Sequence, residues 1–294
     1  MIKRLHLVDG TFELFRAHYA PRPDHLAPDG RSVKAAVGVV RTLLLILQRE
    51  FEQATHIAAA FDNPIESFRN ELFSGYKSGE GTEPDLRRQF DLVEEGVAAI
   101  GVVVWRMGRW EADDALATAA LRWKGECEQV RIMTPDKDLG QVVDGSRVVQ
   151  VDVIRRRDIN EDTVRSRRTA PESIPDFLAL TGDAADGIPG LPGFGEKTAA
   201  ALLGAYGHIE KIPDDGADWA VKVRGAQRLA ETLREHREDA LLYRKLATLN
   251  TSVPLTETLD GLKWRGAHRD AFLDWCGRVG SPALATMPKR WRGE

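Results

Sequence analysis

Cysteine is scarce. Cys127 and Cys276 are the only two in 294 residues, far apart and without metal-ligand spacing. This excludes a disulfide scaffold and a thiolate metal site, and it fits a reducing cytoplasm. Long apolar runs are also missing. A membrane span needs about 18 or more such residues, and the best stretch, VGVVRTLLLILQREF, is broken by Arg41 and reads as a core helix. The N-terminus MIKRLHLVDG reaches an acid too early for a signal peptide. Basic excess is absent too, since the formal charge is −4. Taken alone, that argues against a nucleic-acid binder, which usually shows as a basic domain. No internal repeat or low-complexity segment stands out.

What is present, in the first half, is alternation. RLHLV, THIAAAF, VVVW, QVRIMT and SRVVQV are short apolar runs separated by helical patterns, including one from Ser32, a potential N-cap, to about Glu50. Further helices are predicted near residues 84–99 and from about Glu111 to Lys124. Such alternation predicts a parallel sheet with helices on both faces, and ligands bind such sheets outside the carboxyl ends of the strands. Asp9, Asp62 and Asp136 each fall at or just beyond a strand end, and Glu111, Asp113 and Asp114 follow a fourth strand. SFRNELFSGYKSGEGTEPDL breaks the rhythm and reads as a mobile excursion. From about Arg167 onward the pattern is helical.

The acids carry the chemistry. WEADD could be a charged helix start, where carboxylates meet the positive end of the helix dipole, or part of a cation site. TPDKD adds Asp136 and Asp138, and TGDAADG adds Asp183 and Asp186. Each has an ordinary reading as a cap or turn. If all nine converged, their repulsion would demand cations, and hard ions such as Mg²⁺ prefer oxygen ligands. Two such ions are an arrangement suited to phosphodiester cleavage. Formally removing nine negative charges from −4 leaves +5, so the remaining surface can attract phosphate. Arg155, Arg156, Arg157, Arg165, Arg167 and Arg168 form a basic stretch that is either a solvated face or a DNA contact.

LVDGT…LFR, FD, SFRNELFSGYKS, WEADD, MTPDKDLGQVV and LTGDAADGIPGLPGFGEKTA occur in this order over about residues 4–250. This ordered set resembles the bacterial 5′ nucleases of the flap endonuclease superfamily, which include the 5′→3′ exonuclease domain of DNA polymerase I and stand-alone relatives. The resemblance implies an α/β fold: a PIN-like nuclease core with a central, mainly parallel sheet, plus a helical helix–three-turn–helix domain. The expected domains are 1–166, with a mobile arch at about 63–85, and 167–294 with a C-terminal tail. The nine carboxylates Asp9, Asp62, Glu111, Asp113, Asp114, Asp136, Asp138, Asp183 and Asp186 match the family's metal set. The first four would hold mainly the nearer ion, and the last four would serve the second.

The same resemblance implies two Mg²⁺ ions, for which Mn²⁺ can substitute, and a K⁺ ion at the helix–three-turn–helix element. That element is carried over to Gly193, Gly195 and Lys197, which would grip the duplex backbone. Phe15 falls where relatives stack an aromatic on a base, although packing on the core explains it equally well. Arg69 and Lys77 match basic residues of the arch that act on the phosphate. Two positions depart from the pattern: Glu80 stands where relatives often carry Arg, and Gly187 where they usually carry Asn. The implied function is structure-dependent cleavage of DNA with a 5′ flap, nick or free 5′ end, in repair and replication. The protein would act as a cytoplasmic monomer, with a polymerase and a ligase in trans. A PIN-type ribonuclease, a non-catalytic junction-binding protein and a structural Ca²⁺ site remain as rival readings of the acids.

Overall fold

The computed structural model describes residues 3–167 and 169–294; Met1, Ile2 and Arg168, the last of the basic stretch, lie outside the described residues. Six strands occur among them: β1 (Arg4–Asp9), β2 (His56–Asp62), β3 (Val103–Met107), β4 (Gln129–Met133), β5 (Val148–Asp152) and β6 (Arg157–Ile159). The helices of the first half are α1 (Gly10–His18), α2 (Lys34–Gln48), α3 (Phe68–Leu72), α4 (Pro84–Arg87), α5 (Gln89–Ala99) and α6 (Ala112–Trp123). Then follow α7 (Glu161–Arg167), α8 (Ile174–Thr181), α9 (Glu196–Tyr206), α10 (Ala226–Glu235), α11 (Arg237–Ala247), α12 (Arg269–Arg278) and α13 (Pro282–Ala285). Among the described residues no helix is long and apolar enough to cross a membrane.

The chain forms two compact units that do not follow chain order. Unit 1 takes residues 1–65, 79–134 and 251–294, and unit 2 takes 66–78 and 135–250. A cut at 166/167 separates sequence patterns, whereas compaction draws the tail into the first unit and 135–166 into the second.

In unit 1, β1 to β4 pair in parallel in the order β3-β2-β1-β4. Ile57 through Phe61 are all fully buried, as expected of a parallel strand covered on both faces. Helix α2 buries Ala36, Val39, Val40, Leu43 and Leu44, a stripe at helical spacing. Ser32 does not cap this helix. Val33 is the N-cap residue, and the Ser32 hydroxyl turns to Asp24 at 3.3 Å. The pattern at 84–99 is split into α4 and α5 rather than one helix.

The tail is part of this core. Trp275 of α12 is fully buried, and its indole N–H donates to the Leu92 carbonyl at 2.8 Å. Gly96 makes room for it, since a Cβ there would lie 2.5 Å from the indole. At the end of β1, Gly10 plays the same part for the turn that carries Asp9. A Cβ on Gly10 would lie 2.4 Å from the Phe61 ring.

Unit 2 contains the antiparallel hairpin β5–β6 and the helices α3 and α7 to α11. Its core gathers Phe177, Leu178, Leu180, Phe194, Leu202, Leu229 and Leu246. The helical pattern expected from about Arg167 is what forms there, with no strand after Ile159 among the described residues.

Candidate metal centre

The nine carboxylates divide between the units, five in unit 1 and four in unit 2. In unit 1 they sit at strand ends and at one helix start. Asp9 ends β1 and caps α1; one carboxylate oxygen accepts the Phe12 N–H at 2.8 Å and the other accepts the Thr134 hydroxyl at 2.9 Å. Asp62 ends the neighbouring strand β2. Its own N–H donates to the Thr11 hydroxyl at 2.8 Å, and its carboxylate accepts the Ala112 N–H at 2.7 Å. That second bond ties it to the first turn of α6.

The α6 start explains part of WEADD. Glu111 is the N-cap residue, and a reciprocal capping box joins it to Asp114, whose carboxylate accepts the Glu111 N–H at 3.1 Å. Asp114 is fully buried in this role, while Asp113 is partly exposed. Phe15, on α1, is half-buried with its ring 6.4 Å from that of Tyr19.

In unit 2 the acids cluster. Asp138, Asp183 and Asp186 each offer a carboxylate oxygen within 4.8 Å of the others. Asp136 caps the 3₁₀ turn that carries Asp138 and accepts its N–H at 2.9 Å. One carboxylate oxygen of Asp138 is buried without a hydrogen-bond partner. Burial first, then the charges of Asp136, Asp186 and Asp183, raises the Asp138 carboxyl well above the usual range. An all-oxygen donor set with an orphaned buried oxygen suits a hard cation.

Two lysines meet this cluster. Lys77 Nζ lies 2.9 Å from Asp186, and Lys137 Nζ lies 2.8 Å from Asp183. Lys77 is fixed by its backbone as well, its N–H donating to the Asp186 carbonyl at 2.9 Å. Gly187 permits this approach. Its φ is +74°, and a Cβ would lie 2.1 Å from the Gly75 carbonyl. The departure from Asn at 187 thus coincides with a close backbone crossing. Lys137 was not singled out in the sequence, although its place between Asp136 and Asp138 in PDKD was a usable signal. Thr134, one residue before that motif, was missed in the same way.

Arg69, expected to act on the phosphate, is buried against the end of a helix. The side chain is 1% exposed, and its guanidinium donates to the carbonyls of Leu246 at 2.8 Å and Thr248 at 3.0 Å, closing the C-terminus of α11. In the same segment a capping box at Ser67 and Asn70 starts α3. Glu80 is exposed.

At the second expected element, α8 leads through a turn into α9. Gly193 has φ +83°, and Gly195 is the N-cap residue of α9. Phe194 between them is buried in the unit 2 core, which leaves Gly193, Gly195 and Lys197 exposed. In the basic stretch, Arg155 and Arg157 pair with Asp152, and Arg165 with Glu161. These pairs favour a solvated, self-neutralised face there.

Comparisons with known proteins identify the family. Residues 4–169 match the N-terminal, resolvase-like domain of the 5′-3′ exonucleases, and residues 169–270 match their C-terminal SAM fold. DNA polymerase I of Bacillus caldotenax is 36% identical over 277 residues, which is 92% of this chain and 30% of that protein. The enzyme of Pseudomonas aeruginosa is also 36% identical, over 92% of the chain and 30% of its own length. The chain therefore spans about a third of the curated relatives it matches. The 5′-exonuclease of bacteriophage T5, solved with divalent metal ions (zinc) bound, superposes with a TM-score of 0.65 at 18% identity, covering 96% of this chain and 100% of that one. The catalytic core of Rad2 in complex with a DNA substrate gives 0.59 at 12% identity, covering 97% and 90%. At such identities the superpositions speak for the fold alone, and it is the match over residues 4–169 and 169–270 that decides: the chain belongs to the 5′-3′ exonuclease family.

Proposed function

We propose that this chain is a divalent-cation-dependent 5′ nuclease that hydrolyses DNA phosphodiesters near a junction, flap, nick or free 5′ end. The observation that carries the reading is the Asp138–Asp183–Asp186 cluster with its orphaned carboxylate oxygen, in a chain of this family. Asp9, Asp62, Glu111 and Asp113 would hold one Mg²⁺, and Asp136, Asp138, Asp183 and Asp186 a second, with Mn²⁺ an acceptable replacement. Bound ions of this kind supply charge neutralisation at the scissile phosphate and a water of lowered pKa.

The chain's own residues do the rest. Asp114 holds the start of α6 in place, so that Glu111 and Asp113 are presented from a fixed turn. Lys77 brings a positive charge to the Asp186 edge, where it can meet a phosphate oxygen. Gly193, Gly195 and Lys197 offer exposed N–H and ammonium donors to a duplex backbone, which positions DNA without reading its sequence. A K⁺ ion at that turn fits the same role. Phe15 stacks on a base near the cut. The protein works in the cytoplasm as a monomer, followed by a polymerase and a ligase.

The test is cleavage of matched 5′-flap, nicked, single-stranded and RNA substrates with Mg²⁺ and with EDTA. DNA cut near the junction only with Mg²⁺ is the expected result. Cleavage confined to RNA, or DNA binding without cleavage, would overturn the proposal.

A further inference from the structure

The acids of the unit 2 cluster are not all in the same state. One Asp183 oxygen accepts the Ala185 N–H at 3.1 Å, and the other lies 2.8 Å from the Lys137 ammonium. Asp186 faces Lys77, while one Asp138 oxygen is buried and has no hydrogen-bond partner. The Asp183 backbone is pinned on both sides, its N–H and carbonyl each pairing with Ile188 at 2.8 Å. Asp183 is therefore a fixed ligand with a movable occupant. A lysine reaches it on a flexible four-carbon stem, with three donors and no acceptor. Lys137 is half-buried, so water screens the pair only in part.

We propose that Lys137 is a built-in counter-ion that competes with a divalent cation for Asp183 and sets the cation affinity of the Asp138–Asp183–Asp186 cluster. The inference rests on the reading of these carboxylates as cation ligands. A cation bound between Asp138 and Asp183 must either displace the ammonium from its carboxylate oxygen or bear a like charge beside it. Either way the ammonium costs affinity in the substrate-free protein. The neighbouring acids give the cluster its charge, and Lys137 meters how much of it a cation meets.

The test measures Mn²⁺ binding to the full chain without DNA, by the loss of the free-ion magnetic resonance signal. Wild type, Lys137→Met, Lys137→Gln and Lys137→Arg are compared, with circular dichroism confirming the fold. Removal of the charge in Lys137→Met or Lys137→Gln should tighten the binding event roughly tenfold, as expected from deleting one like charge near the ion. Lys137→Arg should stay near wild type, and Asp138→Asn should abolish the event and so assign it to this cluster. Unchanged or weaker binding in both uncharged variants overturns the inference, as does equal tightening in Lys137→Arg. A wild-type chain with no Mn²⁺ event that Asp138→Asn removes would sink the underlying reading as well. That result is distinguishable from a failure of Lys137 alone.

Discussion

Unit 1 and unit 2 solve the same electrostatic problem in different ways. In unit 1 Asp9, Asp62 and Asp114 accept backbone N–H groups and a threonine hydroxyl, held by strand ends and the α6 start. In unit 2 Asp183 and Asp186 are met by lysine ammoniums. Fixed dipoles orient a carboxylate without neutralising it. An ammonium neutralises the carboxylate but can leave. The first arrangement favours standing affinity for a cation, and the second favours an affinity that depends on what else is bound.

The contrast breaks most directly at adjacent acids of WEADD. Asp113→Asn should lower single-turnover cleavage of a flap substrate at saturating Mg²⁺ by about 10²–10³-fold, the scale of losing one preorganised electrostatic contact. DNA binding should hold or tighten, because a charge that repels phosphate is gone. Asp114→Asn should cost far less, since its amide oxygen can still accept the Glu111 N–H. Equal losses in the two variants would mean that the whole motif acts as a unit, and near-wild-type cleavage by Asp113→Asn would reduce it to a charged helix start.

Arg69 probes how unit 2 holds its outer segment. Arg69→Met keeps bulk but strands the carbonyls of Leu246 and Thr248. A buried unsatisfied group such as the Leu246 carbonyl costs about 1–3 kcal/mol, so urea unfolding should show a loss of about that size. Cleavage by the folded fraction should fall much less. A variant of full stability but no activity would return Arg69 to the phosphate.

Metal linkage separates the units by pH. Burial raises the Asp138 carboxyl well above its usual range. A raised folded-state pKa contributes stability that is present below the unfolded pKa and lost as pH rises through the folded value. In EDTA the group therefore destabilises the protein progressively toward neutral pH, and a bound cation offsets that loss. The rise in Tm on adding Mg²⁺ should be larger at about pH 8 than at about pH 5. In Asp138→Asn the increment should lose most of this pH dependence, and an unchanged increment would place the stabilising ion elsewhere.

Legibility in the sequence followed the periodicity. β1 to β4 and α6 announce themselves as apolar runs and a helical stripe, and the acids at their ends follow from the chirality-fixed layout of parallel sheets. The return of 251–294 to unit 1 was not legible, because it depends on single anchors such as Trp275 in the space above Gly96, which carry no period. Arg69 was read from its motif as a phosphate-acting residue, and its burial carries no local sequence signal. Only the fold brings the free carbonyls at the end of α11 to it. Ser32 has the right chemistry for a cap, but a bridge between Leu26 and Ser32 claims its backbone first.

The exposed helix start of α9 gives a smaller effect. Lys197→Ala should weaken binding to every duplex sequence about equally, and the slope of log affinity against log salt should fall by about 0.9 for the lost phosphate contact. A sequence-dependent loss or an unchanged slope would remove Lys197 from the backbone.

The smallest expected change sharpens the contrast between the arch residues. Lys77 is held in unit 2 against Asp186, whereas Glu80 falls in unit 1 and is exposed. A solvated carboxylate there repels an approaching phosphate weakly, because water screens it. Glu80→Arg reverses that sign. Single-turnover cleavage at subsaturating DNA should rise by about two- to threefold at low salt, consistent with a surface charge effect below about 1 kcal/mol. The gain should fade as salt shortens the Debye length from about 10 Å at 0.1 M to about 3 Å at 1 M. Lys77→Ala, by contrast, should be more damaging than Glu80→Ala, and its loss should persist at high salt, because it removes a charge beside the acidic cluster. Equal rates for wild type and Glu80→Arg across the salt series would show that the scissile strand does not pass near residue 80. Steering would then fall to Lys77 and the turn before α9.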